Sequence, residues 1–326
     1  MLKNKLAKFV FLFSFISAFA NLNFAQTPEN KDKKKQKDEG VRTVTIPISI
    51  FSKEELKVKQ TAETIEAGDI FVKENKDEQI ILSIRSVKDS PLYLAILIQN
   101  DLVAESNTEL RKLKDFIQKL PKGSRVMLSY IRNGNLSVKQ KFTEDLEKAS
   151  KAIEIVTTSQ GFSGNSPYEA VSDAIGKFDA LPSGRRAILL LSDGLDATKN
   201  VNESTPSESL ELERAILKAQ KRSVAIYSVY VPATLSNRID SIVKLNAQGS
   251  LDKLSEETGG QSFIRMIESP VLLEPFFREI SMSLNRQFAL TYLSTHMKKG
   301  YYKVQVYSTN PEIKIEHPKG YYYRKR

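Results

Sequence analysis

An apolar run that stops at a carboxylate and a glycine narrows what this chain can fold into more than any other feature: Leu189-Leu190-Leu191-Ser192-Asp193-Gly194. Ala187–Leu191 is too short for a typical helix and apolar throughout, which suits a parallel strand covered on both faces. Asp193 then falls just past the strand's carboxyl end, and Gly194 frees the turn. Leu94-Ala95-Ile96-Leu97-Ile98-Gln99-Asn100-Asp101 has the same build. In doubly wound α/β sheets ligands bind at such strand ends, so carboxylates there are site candidates. Asp-Gly is also ordinary turn chemistry; the paired occurrence is what points to a site.

Around these two strands the hydrophobic period alternates. Leu92–Ile98, Arg125–Ile131, Ala187–Leu191, Val224–Val231 and Gln261–Arg265 read as strands. Asn107–Leu120, a segment from the Thr143 cap to Val156, Tyr168–Leu181, Ser207–Lys221, Leu251–Thr258 and Pro270–Asn285 read as helices. That alternation predicts a doubly wound, mostly parallel α/β sheet over residues 91–286. Asn133-Gly134-Asn135 is a hairpin turn, so Leu136–Phe142 is expected to pair antiparallel at the sheet edge. Both flanks are β-rich. Val41–Phe51, Asp69–Glu74 and Gln79–Val87 precede the α/β segment, and Phe288–Ser294, Tyr301–Ser308 and Ile313–His317 follow it. Pro47 marks the first of these as an edge strand. Neither flank is large enough to stand alone, so segments 41–90 and 287–326 are expected to pair into one small module around the inserted domain.

The start of the chain differs in kind. Lys3, Lys5 and Lys8 precede the apolar run Phe9–Phe19, and Ala18-Phe19-Ala20 has the form of a signal-peptidase site. Residues 1–20 read as a cleaved export signal, with cleavage there or nearer Ala25, and residues 21–40 as a charged, disordered linker. Export is to a bacterial periplasm or exterior, and the mature chain is not integral to the membrane. Cysteine is absent, which excludes disulfides, thiolate metal sites and cysteine nucleophiles. Loss of the three leader lysines lowers the formal charge from +10 to +7. The densest basic run, Lys31–Lys37, lies in the linker rather than on a folded face, which argues against nucleic acid as a partner.

Taken in order, the Leu92–Asp101 strand tip, Ile188–Gly194 and Leu254-Ser255-Glu256-Glu257-Thr258-Gly259-Gly260 resemble a von Willebrand factor type A (VWFA) domain. The flanks Ala67-Gly68-Asp69-Ile70-Phe71-Val72 and Gln287-Phe288-Ala289-Leu290-Thr291-Tyr292 are similar to those of the exported VWFA-related proteins common in acidobacterial genomes. The resemblance implies a metal-ion-dependent adhesion site, in which an Asp-x-Ser-x-Ser run, a Thr and an Asp hold Mg²⁺ against an acidic group of a protein partner. Such a site needs oxygen ligands in octahedral geometry. Asp193 matches the third-loop Asp, and Ser166 is the best match to the Thr. The first loop departs: aligned to the strand end, Gln99 stands at the leading Asp, Asp101 at the first Ser and Val103, without a ligand atom, at the last Ser, while a register slipped by two restores Asp101 as the leading Asp but loses the first Ser at Val103. The candidate ligands for Mg²⁺ or Ca²⁺ are thus Gln99, Asp101, Ser166 and Asp193, a set with enough charge but an incomplete ligand pattern, and a degenerate, metal-free site is favoured. Asn100, Asn165, Gly194 and Asp196 are the candidate partner-binding loop residues, with Asp196 expected in solvent.

Catalysis has little to stand on. His296 and His317, the only histidines, fall at a hairpin tip and a strand end, where surface positions are expected, and neither a nucleophile elbow nor a phosphate-cradling loop is present. The leading reading is a non-enzymatic binding or scaffold protein acting through its sheet-top loops. The alternatives are a metal-assisted hydrolase at the same loops and a structural component of an envelope or secretion assembly.

Overall fold

The computed structural model describes residues 40–52, 70–86, 90–156, 166–182, 185–198, 204–234, 240–264 and 272–323. All belong to one unit, Glu39–Arg326. The leader and linker, Asp69, the loop through Asn165, and Pro270 lie outside them.

The inserted segment forms a six-stranded sheet from β4 (Leu92–Gln99), β5 (Arg125–Arg132), β6 (Asn135–Thr143), β7 (Arg185–Ser192), β8 (Val224–Tyr230) and β9 (Ser262–Phe263), in the order β6-β5-β4-β7-β8-β9. All neighbours are parallel except β5 and β6, whose hairpin makes the antiparallel edge. Strand period then sorts the apolar residues. Leu94, Ile96, Ile98, Leu189 and Leu191 face one layer, with α1 (Ser106–Gln118) and α6 (Glu274–Asn285). Ala95, Leu97, Ile188 and Leu190 face the other, with α3 (Pro167–Lys177), α4 (Leu210–Arg222) and α5 (Ser241–Thr258). Each fully buried Leu or Ile contributes about 1.5–3 kcal/mol. These two layers are why β4 and β7 are apolar throughout.

Two helices differ from expectation. Thr143 closes β6 instead of capping a helix; Asp145 is the cap, accepting from Lys148 N at 2.9 Å, and α2 is only Leu146–Lys151. The chain beyond it is held by Tyr130, whose hydroxyl accepts from Glu154 N and donates to Glu154 O. Conversely α5 is eighteen residues long, because Asp240 caps it and starts it ten residues before the expected Leu251.

The flanks form one curled antiparallel sheet in the order β12-β1-β10-β3-β2-β11-β13, from β1 (Arg42–Ser52), β2 (Ile70–Glu74), β3 (Asp77–Ser86), β10 (Gln287–Ser294), β11 (Gly300–Ser308), β12 (Ile313–Glu316) and β13 (Gly320–Tyr323). The α/β domain is therefore inserted in a β module built from both ends of the described chain. β1 is not the sheet edge: β10 covers one side and β12 the other. Pro47 is tolerated because β12 pairs only with Ser49–Ser52.

The curl brings β11 and β12 together. Val304 N donates to Lys319 O at 2.8 Å, and Val306 N donates to His317 Nε2 at 3.2 Å. An imidazole thus substitutes for a missing strand, with Nδ1 2.9 Å from Pro318 O fixing the tautomer. His317 is mostly buried rather than superficial, and burial lowers its pKa below the ordinary 6.5. His296 is also partly buried, 3.3 Å from both Glu74 and Asp77.

Protonation would place a donor against Val306 N–H. Because the unfolded chain takes up that proton more readily, the stability tied to His317 is intact above 6.5 and declines as pH falls below it. Melting curves between about pH 5 and 8 should show that decline in the native protein and a smaller one in His317→Gln. Equal pH dependence in both would remove the imidazole from the account.

Candidate functional site

The carboxyl edge of the parallel sheet is where the candidate residues gather, and hydrogen bonds consume them. Gln99, at the tip of β4, accepts through Oε1 from Ser192 Oγ at 2.5 Å and from Asp193 N at 3.1 Å. Ser192 Oγ in turn accepts from Gly194 N at 3.0 Å. Asp193 is 4 % exposed, and its Oδ1 accepts from Leu195 N at 3.1 Å. Gly194 is buried with φ +73°; a β-carbon there would stand 2.5 Å from Ala247 O and 2.6 Å from Leu251 Cγ. Only glycine meets both conditions.

Asp196 corrects the expectation of a solvent residue. It is 4 % exposed. Its Oδ1 accepts from Thr198 N and Oγ1, and its Oδ2 takes a short hydrogen bond from Ser209 Oγ. Ser209 is the cap of α4, accepting from Leu212 N at 3.1 Å, so Asp196 pins that helix's first turn to the loop after β7. Ser166 is fully buried and caps α3 by accepting from Tyr168 N at 3.3 Å. Tyr168 then ties that helix to the loop by donating to Gly194 O at 2.7 Å. Burial, and then the Asp196 and Asp193 charges, push the Tyr168 phenol well above its usual pKa, so it stays a donor. Tyr230, at the end of β8, is pushed up to about 12 by burial and then by Asp193.

The β4 tip bends away toward β8. Asp101 O accepts from Thr234 N at 3.0 Å, Leu102 bridges Ala233, and Val103 N donates to Pro232 O at 2.9 Å. Since β7 separates β4 from β8 in the sheet, these bonds join the two tips across the end of β7. The residue that reaches Asp193 from β4 is Gln99. Asn100, half-buried, donates from its backbone to Ile131 O on the other neighbour, β5. Asn165 lies outside the described residues. Sequence reasoning missed Tyr168 and Ser209 as parts of this network. Tyr168 read only as the start of a helix, and Ser209 fell inside the predicted helix Ser207–Lys221 rather than at its cap.

A hard cation would need several free oxygens converging on one point. Both acceptor positions of Gln99 Oε1, the Ser166 hydroxyl oxygen and one Asp193 oxygen already serve protein donors. Among the described residues no three Asp, Glu, His or Cys side chains are grouped to hold a metal. In this arrangement the Gln99, Ser166 and Asp193 oxygens serve protein donors.

The sheet order, the antiparallel β6 edge, and the convergence of the loops after β4 and β7 with the start of α3 define a von Willebrand factor type A fold. The chain thus carries a doubly wound α/β domain of VWFA-like topology inserted in a β module. Protein-family models and curated proteins give no match. Similar solved structures include a von Willebrand factor type A protein from Catenulispora acidiphila, 13 % identical over 79 % of this chain and 74 % of that one, with a TM-score of 0.45. An aerotolerance-related membrane protein from Bacteroides fragilis is 19 % identical over 60 % and 98 %, at 0.41. The manganese-loaded TRAP protein of Plasmodium vivax is 11 % identical over 76 % and 97 %, at 0.36.

Asp196→Ala should lower stability by about 1–3 kcal/mol, the cost of stranding buried donors, with Asp196→Asn recovering part of it. Gly194→Ala should cost at least as much, through backbone strain and the Ala247 clash. Urea denaturation of the three variants checks this. An unchanged midpoint for Asp196→Ala would mean that the Asp196–Ser209 link holds nothing.

Proposed function

We propose that this chain is an exported, non-enzymatic binding or scaffold protein that holds another protein at the carboxyl edge of its VWFA domain without a metal bridge. One observation carries the reading. Around the buried, self-satisfied loops the rim is apolar: Leu210 opens α4, and Ile242 and Leu245 lie in the first turns of α5, all exposed, with Ile242 at 67 %. α4 and α5 pack against each other, and as the helices following β7 and β8 they start at the same sheet edge. Large exposed aliphatic side chains beside a recessed polar centre suit a protein interface better than a small-molecule site. The buried carboxylates, already bonded within the protein, favour binding over hydrolysis.

The domain limits 91–286, with 41–90 and 287–326 as flanks, belong to the same proposal, as does export by the Lys3–Ala20 leader. No described helix is long and apolar enough to cross a membrane. N-terminal mass spectrometry of cell fractions should find the mature chain starting near Asn21. An intact Met1 on cytosolic protein would overturn export.

For the interface, Ile242→Asp/Leu245→Asp should abolish cross-linking to the native partner at an unchanged melting temperature, while chelator leaves cross-linking intact. Millimolar Mg²⁺, Ca²⁺ or Mn²⁺ should leave the melting curve unmoved. A cation-dependent rise that Asp193→Ala removes would restore the metal-bridged reading.

A further inference from the structure

The flanking sheet collects four chain segments at one set of strand ends. Register places them together: Arg42 pairs with Ser294, Leu293 with Ile80, Glu74 with Asp77, Val304 with Glu74, and Gly300 with Tyr323. Gly40 and Val41, the β2–β3 turn at Asn75–Lys76, the β10–β11 connection Thr295–Lys299 and the end of β13 therefore share one face. Asn75 locks two of these segments, donating from N to Lys303 O and accepting from Lys303 N through Oδ1, both at 2.9 Å. Thr295 N binds Gln79 Oε1 at 3.1 Å and fixes a third. The two passages to the α/β domain leave from the opposite strand ends, where Phe288 pairs with Ser86.

The composition of this face is unusual. Lys76, Lys298, Lys299 and Lys303 are exposed, against Asp77 and Glu78, and Asp77 already faces His296 Nε2 at 3.3 Å. Aliphatic side chains stand among them: Val41 at 55 % exposure, Ile80 at 69 %, and Met297, also exposed. The sequence entering at Gly40 brings Lys31, Lys33, Lys34, Lys35 and Lys37 with Asp32, Asp38 and Glu39; the sequence leaving at Tyr323 continues as Arg324-Lys325-Arg326.

We propose that this face docks on an anionic lipid bilayer. Each lysine or arginine near such a surface contributes about 1 kcal/mol, additively over a cluster. Unbranched and branched aliphatic tips among the cations can enter the headgroup layer and add apolar burial. Nucleic acid would use the cations equally, but it has no use for the exposed aliphatic side chains of Val41, Met297 and Ile80, which a headgroup layer would bury. The inference does not depend on the carboxyl-edge interface. It would place the VWFA domain beside a membrane, without an embedded helix to hold it there.

Co-sedimentation of the full chain with vesicles tests it, comparing pure phosphatidylcholine with vesicles containing about 30 % phosphatidylglycerol. The leader can enter either bilayer, so binding to neutral vesicles is the baseline. Partitioning should be stronger on anionic vesicles and fall as salt rises from about 50 to 500 mM. Lys76→Glu/Lys298→Glu/Lys299→Glu should reduce the anionic excess roughly tenfold or more, and Val41→Ser/Met297→Ser should reduce it less. Arg111→Glu/Lys119→Glu/Lys122→Glu, on α1 and the turn after it, should leave it unchanged; melting curves confirm that each variant is folded. Equal partitioning onto both vesicles, or an excess insensitive to the first variant, would overturn the proposal. So would displacement from anionic vesicles by a short DNA duplex at equal phosphate concentration.

Discussion

One buried charge holds the two ends of the described chain together. Glu74, on β2, has no solvent exposure, and its Oε1 gathers groups from four other segments. Ser294 Oγ donates at 2.8 Å and Tyr321 OH at 3.0 Å, while Arg42 Nη2 stands at 3.5 Å and His296 Nδ1 at 3.3 Å. Arg42 lies against the rings of Tyr302, Tyr321 and Tyr323 and donates to His296 O. A buried carboxylate is costly to strand: removing one partner of such a pair typically costs about 3–5 kcal/mol. The cost falls on strands that precede the α/β domain and strands that follow it alike, so the flanking module is held closed by an ionic centre at the strand ends opposite the passages to the inserted domain.

The loops at the carboxyl edge form a structural hub of their own. The geometry that lets strand tips converge on an ion also lets them converge on each other. With glutamine at position 99, the tip of β4 offers a neutral acceptor to Ser192 and to the backbone of Asp193. With valine at position 103, the same loop offers an apolar side chain and a backbone donor to Pro232. Asp196 and Tyr168 then bind the starts of α4 and α3 to the same turn. Much of the polarity of the described loops is spent internally, while Leu210 of α4 and Ile242 and Leu245 of α5 stand exposed.

Much of this was legible from hydrophobic period alone. β4, β7 and β8 are apolar on both faces because helices cover both, and the Asn133-Gly134 turn announces the antiparallel edge. The pairing of distant flanks followed from their being too small to stand apart. Three things were not legible. The first turns of α5 carry Ile242 and Leu245 on the solvent side, so the segment lacks the pattern of a buried face. Asp196 sits in a run of turn-forming residues, and nothing local tells a solvated aspartate from one that caps a cap. His317 fills a gap in a sheet whose curl depends on strands far away in sequence. Each of these is decided by tertiary partners, which neighbouring residues do not report.

The split sheet also sets an order of events during synthesis. β2 and β3 can pair with each other as they emerge, but β1 and the outer edges of that hairpin wait for β10, β11 and β12, which are made only after the whole α/β segment between Ser86 and Gln287. At typical elongation rates that interval is roughly 10–40 s, during which Glu74 has no Arg42–Tyr321 cage to enter. Closure of the flanking sheet is therefore one of the last steps of folding, after the inserted domain has been made.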